Sequence, residues 1–239
     1  GGGFGERVGS LTIPRGHGVV AVWTGLSPHP PVFAYGGFVV AWEKKGETVT
    51  GVIVNYGLDS LPGDGASRAI TIGKFDGVHR GHQKVIDQLL AVAGGAEPTV
   101  ITFDRHPSAT LNPGDAPQAI LSEAQKIELL EKTGIARVIV LAFDHELSSL
   151  THEDFSKRVL VDGLGASVVL VGADFRYGHG GGGTIDTLRA EGTQGGFSVD
   201  VVADLCEEAG QRVSSTMIRQ HLEKGEASAT RALLGRYHS

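Results

Sequence analysis

"TIGKFDGVHRGHQ", Thr71–Gln83, is the stretch that decides the fold. A short apolar run, AITIG (Ala69–Gly73), stops at glycine, and a turn punctuated by Gly77 and Gly81 follows it. Then HQKVIDQLLAVA carries Val85, Ile86, Leu89, Leu90 and Val92 at helical spacing. The pattern predicts strand, tight turn, helix. His79 and His82 stand three apart at the first turn of that helix, so both imidazoles share a side. The same turn offers free backbone N–H groups and the positive end of the helix dipole. Donors, positive potential and paired imidazoles suit a polyphosphate. Zinc would need a third and a fourth ligand, and neither Cys206 nor a spaced carboxylate–His helix motif supplies an obvious one, so no protein-held metal is expected. An ordinary surface loop is the third reading; the strand–glycine–helix setting weighs against it.

Outward from this turn the alternation continues. TVITF (Thr99–Phe103), RVIVLAF (Arg137–Phe143), SVVLVG (Ser167–Gly172) and FSVDVVADL (Phe197–Leu205) read as further strands. Between them lie helices. One is capped by Ser122 with Gln125 three residues on and stopped by Gly134; another is capped by Thr151 with Asp154 at the third position. STMIRQHLEKG and EASATRALLG close the chain. Apolar strands alternating with helices imply an α/β fold, a doubly wound, Rossmann-like sheet of five parallel strands covered on both faces. Ligands of such sheets sit beyond the carboxyl ends of the strands. Residues 1–58 differ: GVVAVW, GFVVAW and TVTGVIVNYG are strand-like runs between Gly/Pro turns, with EKKGE as a hairpin loop. They are expected to form a small β-rich segment, residues 59–239 the α/β domain.

Composition narrows the partners. With 41% hydrophobic residues the 239-residue chain can bury a large core. A net charge of −6 and no long Lys/Arg block argue against nucleic acid or an anionic membrane as partner. No apolar run approaches the ~20 residues of a membrane span. The one cysteine, Cys206, permits no internal disulfide, which suits the cytoplasm. Oligomeric state is not legible.

Near the carboxyl end, VSSTMIR (Val213–Arg219) has its own physical reading. Ser214 and Ser215 can cap the next helix, and Arg219, one turn in, can reach a phosphate with two parallel hydrogen bonds. A well-capped surface helix with an exposed Arg would read the same way.

GKFDGVHRGH is similar to the HxGH signature of the nucleotidyltransferase superfamily, and its form resembles the FMN adenylyltransferase module of bacterial bifunctional riboflavin kinase/FAD synthetases. The resemblance runs from about Leu58 to Tyr237 in the expected order. TFDRHP (Thr102–Pro107) resembles the second motif, with Arg105 where many members have proline. VGADFRYGHGGGG (Val171–Gly183) resembles the flavin- and nucleotide-side loop, and VSSTMIR the phosphate motif. ALLGRYH (Ala232–His238) resembles the junction before the family's kinase module.

The resemblance implies an ATP:FMN adenylyltransferase that makes FAD and pyrophosphate, with Mg²⁺ on the phosphates. It implies His79, His82 and Arg219 as catalytic residues. Gly73, Phe75, Gly77, Ser214, Ser215 and Thr216 would lie at the ATP phosphates, and His106, Pro107, Asp174 and Phe175 on the flavin and nucleotide side. In an acidic chain the histidines and Arg219 would act as local cations. Phe175 could equally be core, Asp76 an Asx-turn residue, and Gly180–Gly183 a plain turn. Another HxGH transferase, with a different phosphate acceptor, or a non-catalytic flavin- or nucleotide-binding protein are the alternatives. Riboflavin kinase activity is not expected, since the chain stops where that module would begin and residues 1–58 carry SLTIPR where the kinase has Pro-Thr-Ala-Asn. Every motif starts at or after Thr71, so the first 55 residues are expected to be dispensable for adenylylation.

Overall fold

The computed structural model describes residues 19–22, 38–44, 47–105, 117–202, 207–208 and 211–238. In chain order the elements are β1 (Val19–Val22), β2 (Phe38–Lys44), β3 (Glu47–Tyr56), β4 (Arg68–Ile72), α1 (Arg80–Val92), β5 (Glu97–Phe103), α2 (Glu123–Glu131) and β6 (Arg137–Leu141). Then come α3 (His145–Ser149) and α4, which begins at His152–Phe155 and continues as a π-helix over Ser156–Gly163. The chain goes on through β7 (Ala166–Val171), α5 (Ile185–Gly195), β8 (Ser198–Val201), a small hairpin of β9 (Glu207–Glu208) and β10 (Gln211–Arg212), α6 (Ser215–Glu223) and α7 (Ala227–Leu234).

The main sheet has the order β1-β2-β3-β6-β5-β4-β7-β8. From β3 to β8 every neighbouring pair is parallel. Six strands are therefore parallel where five are expected. The sixth is β3, whose residues Ile53–Tyr56 pair with Arg137–Val140 of β6. The hairpin reading of residues 43–47 is right locally, since β2 and β3 are antiparallel with Lys44 opposite Glu47. The same strand also has a parallel partner more than 80 residues away, for which a local pattern carries no signal.

Alternate residues of each strand feed opposite faces. Ala69, Val100, Val138 and Leu170 pack with Ile86 and Leu89 of α1, Leu130 of α2, Ile218 of α6 and Leu233 of α7. Ile70, Ile101, Ile139 and Val169 pack with Leu147 of α3, Phe155 and Leu160 of α4 and Leu188 of α5. Both faces are thus covered, and this explains the near-continuous apolar strands. The chain winds one way from β4 to β6 and the other way from β7 to β8, so the direction reverses between β4 and β7. Loops leaving those two strands flank the crevice where doubly wound sheets bind ligands.

The opposite end of the sheet is held by charge. Arg68, 1% exposed, reaches Asp64, the Leu164 carbonyl and Glu97. Glu97 also receives Arg137 at 2.6 Å, and Arg137 donates to Asn55 of β3 at 2.7 Å. Four adjacent strands are tied together there, well away from the crevice.

Candidate active site

The turn after β4 is strained. Phe75 and Val78 have φ of +50° and +37°, a region that β-branched Val78 in particular avoids. Both are buried, 2% and 1% exposed, so packing imposes the conformation. Val78 N donates to the Phe75 carbonyl at 3.1 Å and closes the turn. His79 then caps α1: its Nδ1 accepts from the backbone N–H of His82 at 3.3 Å. An accepting Nδ1 leaves Nε2–H as the donor of a neutral ring. The two imidazoles stack, 3.6 Å between centroids and 17° apart, with Phe75 5.0 Å from His82. Gly81 leaves room for this ring, because a Cβ would lie a tight 3.1 Å from two atoms of the His79 ring.

Burial pushes His79 down to about 4, with Arg212 and Arg236 acting the same way. His82 is also pushed well below its ordinary value, by burial first and then by His79, Arg212 and Lys126. Its Nδ1 is buried with no hydrogen-bond partner. Both rings are therefore neutral at pH 7. They offer a phosphate N–H donors rather than the positive charge expected of them.

The second motif lies against the first. Ser214 caps α6 by accepting from Met217 N, Ser215 Oγ donates to the Asp76 carbonyl at 2.8 Å, and Thr216 is exposed in the first turn of the helix. The Val213 carbonyl lies 3.4 Å from where a Gly81 Cβ would stand. The starts of α1 and α6 are in contact. Arg219 is already engaged: Nε donates to the Gln118 carbonyl at 2.6 Å and Nη2 pairs with Asp76. Asp76 Oδ1 accepts from Ile120 N at 3.0 Å, so this side chain joins three segments and forms no local Asx turn.

The other expected residues divide. Gly73 N donates to the Ile101 carbonyl, and the Phe75 side chain is packed in the core. Gly77 offers its carbonyl inward, to Arg236. Asp174 is exposed and pairs with Arg212 at 3.1 Å, which brings the glycine-rich loop to the side of the histidines. Phe175 is half-buried and stacks on Tyr177 at 5.5 Å. Tyr177 donates to Glu191 at 2.5 Å, and Glu191 also holds His152 and Ser156. Gly183 lets the loop fold onto that network, since a Cβ there would lie 2.5 Å from the Tyr177 ring. His106 and Pro107 lie outside the described residues.

Sequence reasoning missed three cations. Arg212 and Arg236 act on His79, and Arg212 and Lys126 act on His82. Lys126 is buried, with Nζ 2.7 Å from the Phe103 carbonyl at the end of β5. Arg212 immediately precedes VSSTMIR and had a positional signal. Lys126 sits in a helix pattern that carries none, and Arg236 lies in ALLGRYH, which was read only as a junction.

A doubly wound parallel sheet with paired histidines opening the helix after its first crevice strand defines an HxGH nucleotidyltransferase. The FAD synthetase family model matches residues 63–217, and the chain belongs to that family. Among curated relatives, the bifunctional riboflavin kinase/FMN adenylyltransferase of Pseudomonas fluorescens is 39% identical over 182 residues, covering 75% of this chain and 58% of the relative. The protein of the same name from Listeria monocytogenes is 36% identical, covering 71% and 54%, and that from Escherichia coli (strain K12) 31%, covering 75% and 57%. The chain thus spans little more than half the length of these relatives. A crystal structure described as a macrolide-efflux protein from Streptococcus pneumoniae shares the fold, with a TM-score of 0.69 at 24% identity over 78% of this chain and 72% of that one.

Proposed function

We propose that the protein transfers AMP from ATP to FMN, giving FAD and pyrophosphate. One observation carries this reading: in a member of the FAD synthetase family, the stacked His79–His82 pair abuts the start of α6 at the crevice of the sheet. The FMN phosphate oxygen attacks the α-phosphorus of ATP. The bond from that phosphorus to the bridging oxygen breaks, and pyrophosphate leaves with the electron pair. No enzyme nucleophile is needed, so the chain contributes position and hydrogen-bond donors.

In this reading His79 Nε2–H and the His82 ring donate to phosphate oxygens. Ser214, Ser215, Thr216 and the free N–H groups of α6 receive the leaving β- and γ-phosphates. Arg219 reaches them by exchanging Asp76 or the Gln118 carbonyl for phosphate, and Arg212 supplies the positive charge that the neutral histidines lack. Asp174 and Phe175, with His106 and Pro107, are assigned to the flavin and nucleotide side. Among the described residues no group of three His, Cys, Asp or Glu side chains is placed to hold a metal. We assign Mg²⁺ to the triphosphate, where it would screen phosphate charge.

The reading is confined to adenylyl transfer by small molecules in the cytoplasm. No helix among the described residues is long and apolar enough to cross a membrane. The family match over residues 63–217 supports the adenylyl-transfer half of the relatives' name, and the reading is limited to that half. The test is direct: protein, FMN, ATP and Mg²⁺ are incubated and FAD is read by chromatography. FAD formation abolished by chelator supports the reading, and no FAD under any condition overturns it.

A further inference from the structure

The strained histidine turn is clamped from a distant part of the chain. Arg236, beyond the residues matched by the family model, donates through Nη2 to the Gly77 carbonyl at 2.7 Å and through Nη1 to the Val78 carbonyl at 3.1 Å. Nη1 also reaches the Leu234 carbonyl at 3.4 Å. Gln83 makes the same bridge from α1, with Nε2 2.9 Å from Val78 O and 3.1 Å from Leu234 O. The Val78–His79 peptide is therefore held by two side chains, one residue before the imidazole that caps α1. A β-branched residue at φ +37° persists only where its surroundings over-determine it, and these donors do so together with the packing.

We propose that Arg236 is a positioning residue for adenylyl transfer: its guanidinium fork fixes the peptide before His79 and so sets the stacked histidine pair against the phosphates. The proposal rests on the adenylyl-transfer reading. Arg236 touches no reacting atom in it and acts through His79. A lysine cannot replace it, because one ammonium does not reproduce a planar fork across consecutive carbonyls. Its charge has a second effect. His79 is faced by His82 from α1, by Arg212 from β10 and by Arg236; His82 is faced by His79, Arg212 and Lys126 of α2. Arg236 is one of the cations that disfavour a proton on His79.

The test compares Arg236→Met and Arg236→Lys with the parent, reading FAD formation, melting temperature and the His79 ring titration by NMR. Arg236→Met is expected to lower kcat between about 10- and 100-fold, the scale of a small misplacement of catalytic groups, with the KM for ATP near the parent's. Its His79 titration should move up from about 4. Arg236→Lys should return the titration toward the parent's while kcat stays low. Tyr237→Ala, an exposed neighbour, should change none of these readouts. Parent-like kcat in a folded Arg236→Met would overturn the proposal, whatever the His79 titration does. Should that variant fail to fold, Arg236→Lys with parent-like kcat overturns it equally. If the parent itself makes no FAD, the adenylyl-transfer reading fails and the proposal with it; a parent that makes FAD beside a folded Arg236→Met with parent-like kcat fails the proposal alone.

Discussion

His79 takes up its proton near pH 4 in the folded protein, whereas an unfolded histidine does so near 6.5. Between those values the unfolded chain binds more protons, so acidification through that window favours unfolding. The contribution reaches about 3 kcal/mol by the lower end. Melting temperature should fall more steeply from pH 6.5 to 4 in the parent than in His79→Asn, which keeps an N-cap acceptor and cannot titrate. Equal slopes would mean that His79 is not buried neutral. Arg219 behaves differently from the free phosphate ligand that its motif suggests. It bridges Asp76 and the Gln118 carbonyl, so Arg219→Lys should weaken ATP use and also cost roughly 1–2 kcal/mol of stability, a few degrees in Tm. A variant with weakened ATP use and an unchanged Tm would show that the bridge is not structural. The type of residue at this position was legible in VSSTMIR; its resting partner was not, because Asp76 lies 143 residues away.

Among the elements, β4, α1 and the helices capped by Ser122 and Thr151 were legible because their signals are local. Ser122 does form its reciprocal box with Gln125, and Thr151 does accept from Asp154 N. Of the strand read over residues 197–205, β8 covers Ser198–Val201, Val202 N still donates to the Val171 carbonyl, and residues 203–205 lie outside the described residues. The charge lattice at the far end of the sheet was illegible for the reason that hides all long-range pairs: Arg68, Glu97 and Arg137 look like three separate surface charges. Burial would raise the Glu97 carboxyl, yet hydrogen bonds from Arg137 and Arg68 hold it below the usual range. Glu97→Ala leaves buried Arg137 without its anion and Arg68 with Asp64 alone, and should cost about 3 kcal/mol, the lower end for breaking such a pair because Glu97 is partly exposed. Thermal unfolding measures this, and a loss below 1 kcal/mol would assign the lattice no structural weight.

For the molecule as a whole, the consequential misreading concerned where the α/β sheet begins. Residues 47–56 look like the second arm of a hairpin and are also the sixth parallel strand. That pairing argues against the expectation that the first 55 residues are dispensable. Deletion through Asn55 removes β3, exposes the edge of β6 and takes from Arg137 its Asn55 partner. That protein should fail to melt cooperatively, while deletion through Gly46 should retain both a sharp transition and FAD formation. Circular dichroism melts of the two truncations separate these outcomes; a cooperative melt after the longer deletion would show that β3 is an accessory strand.

The clamp on the histidine turn also imposes an order on biosynthesis. The turn leaves the ribosome early, but Ser215, Arg219 and Arg236, which fasten it, follow 139 to 159 residues later. Until they emerge, nothing among these contacts holds Phe75 and Val78 at positive φ, and the backbone there is free to relax. A nascent chain that already displays every residue of the HxGH signature is thus unable to hold it in working geometry. Competence arrives only once Arg236 has emerged, which makes the segment around that residue the timer of the site.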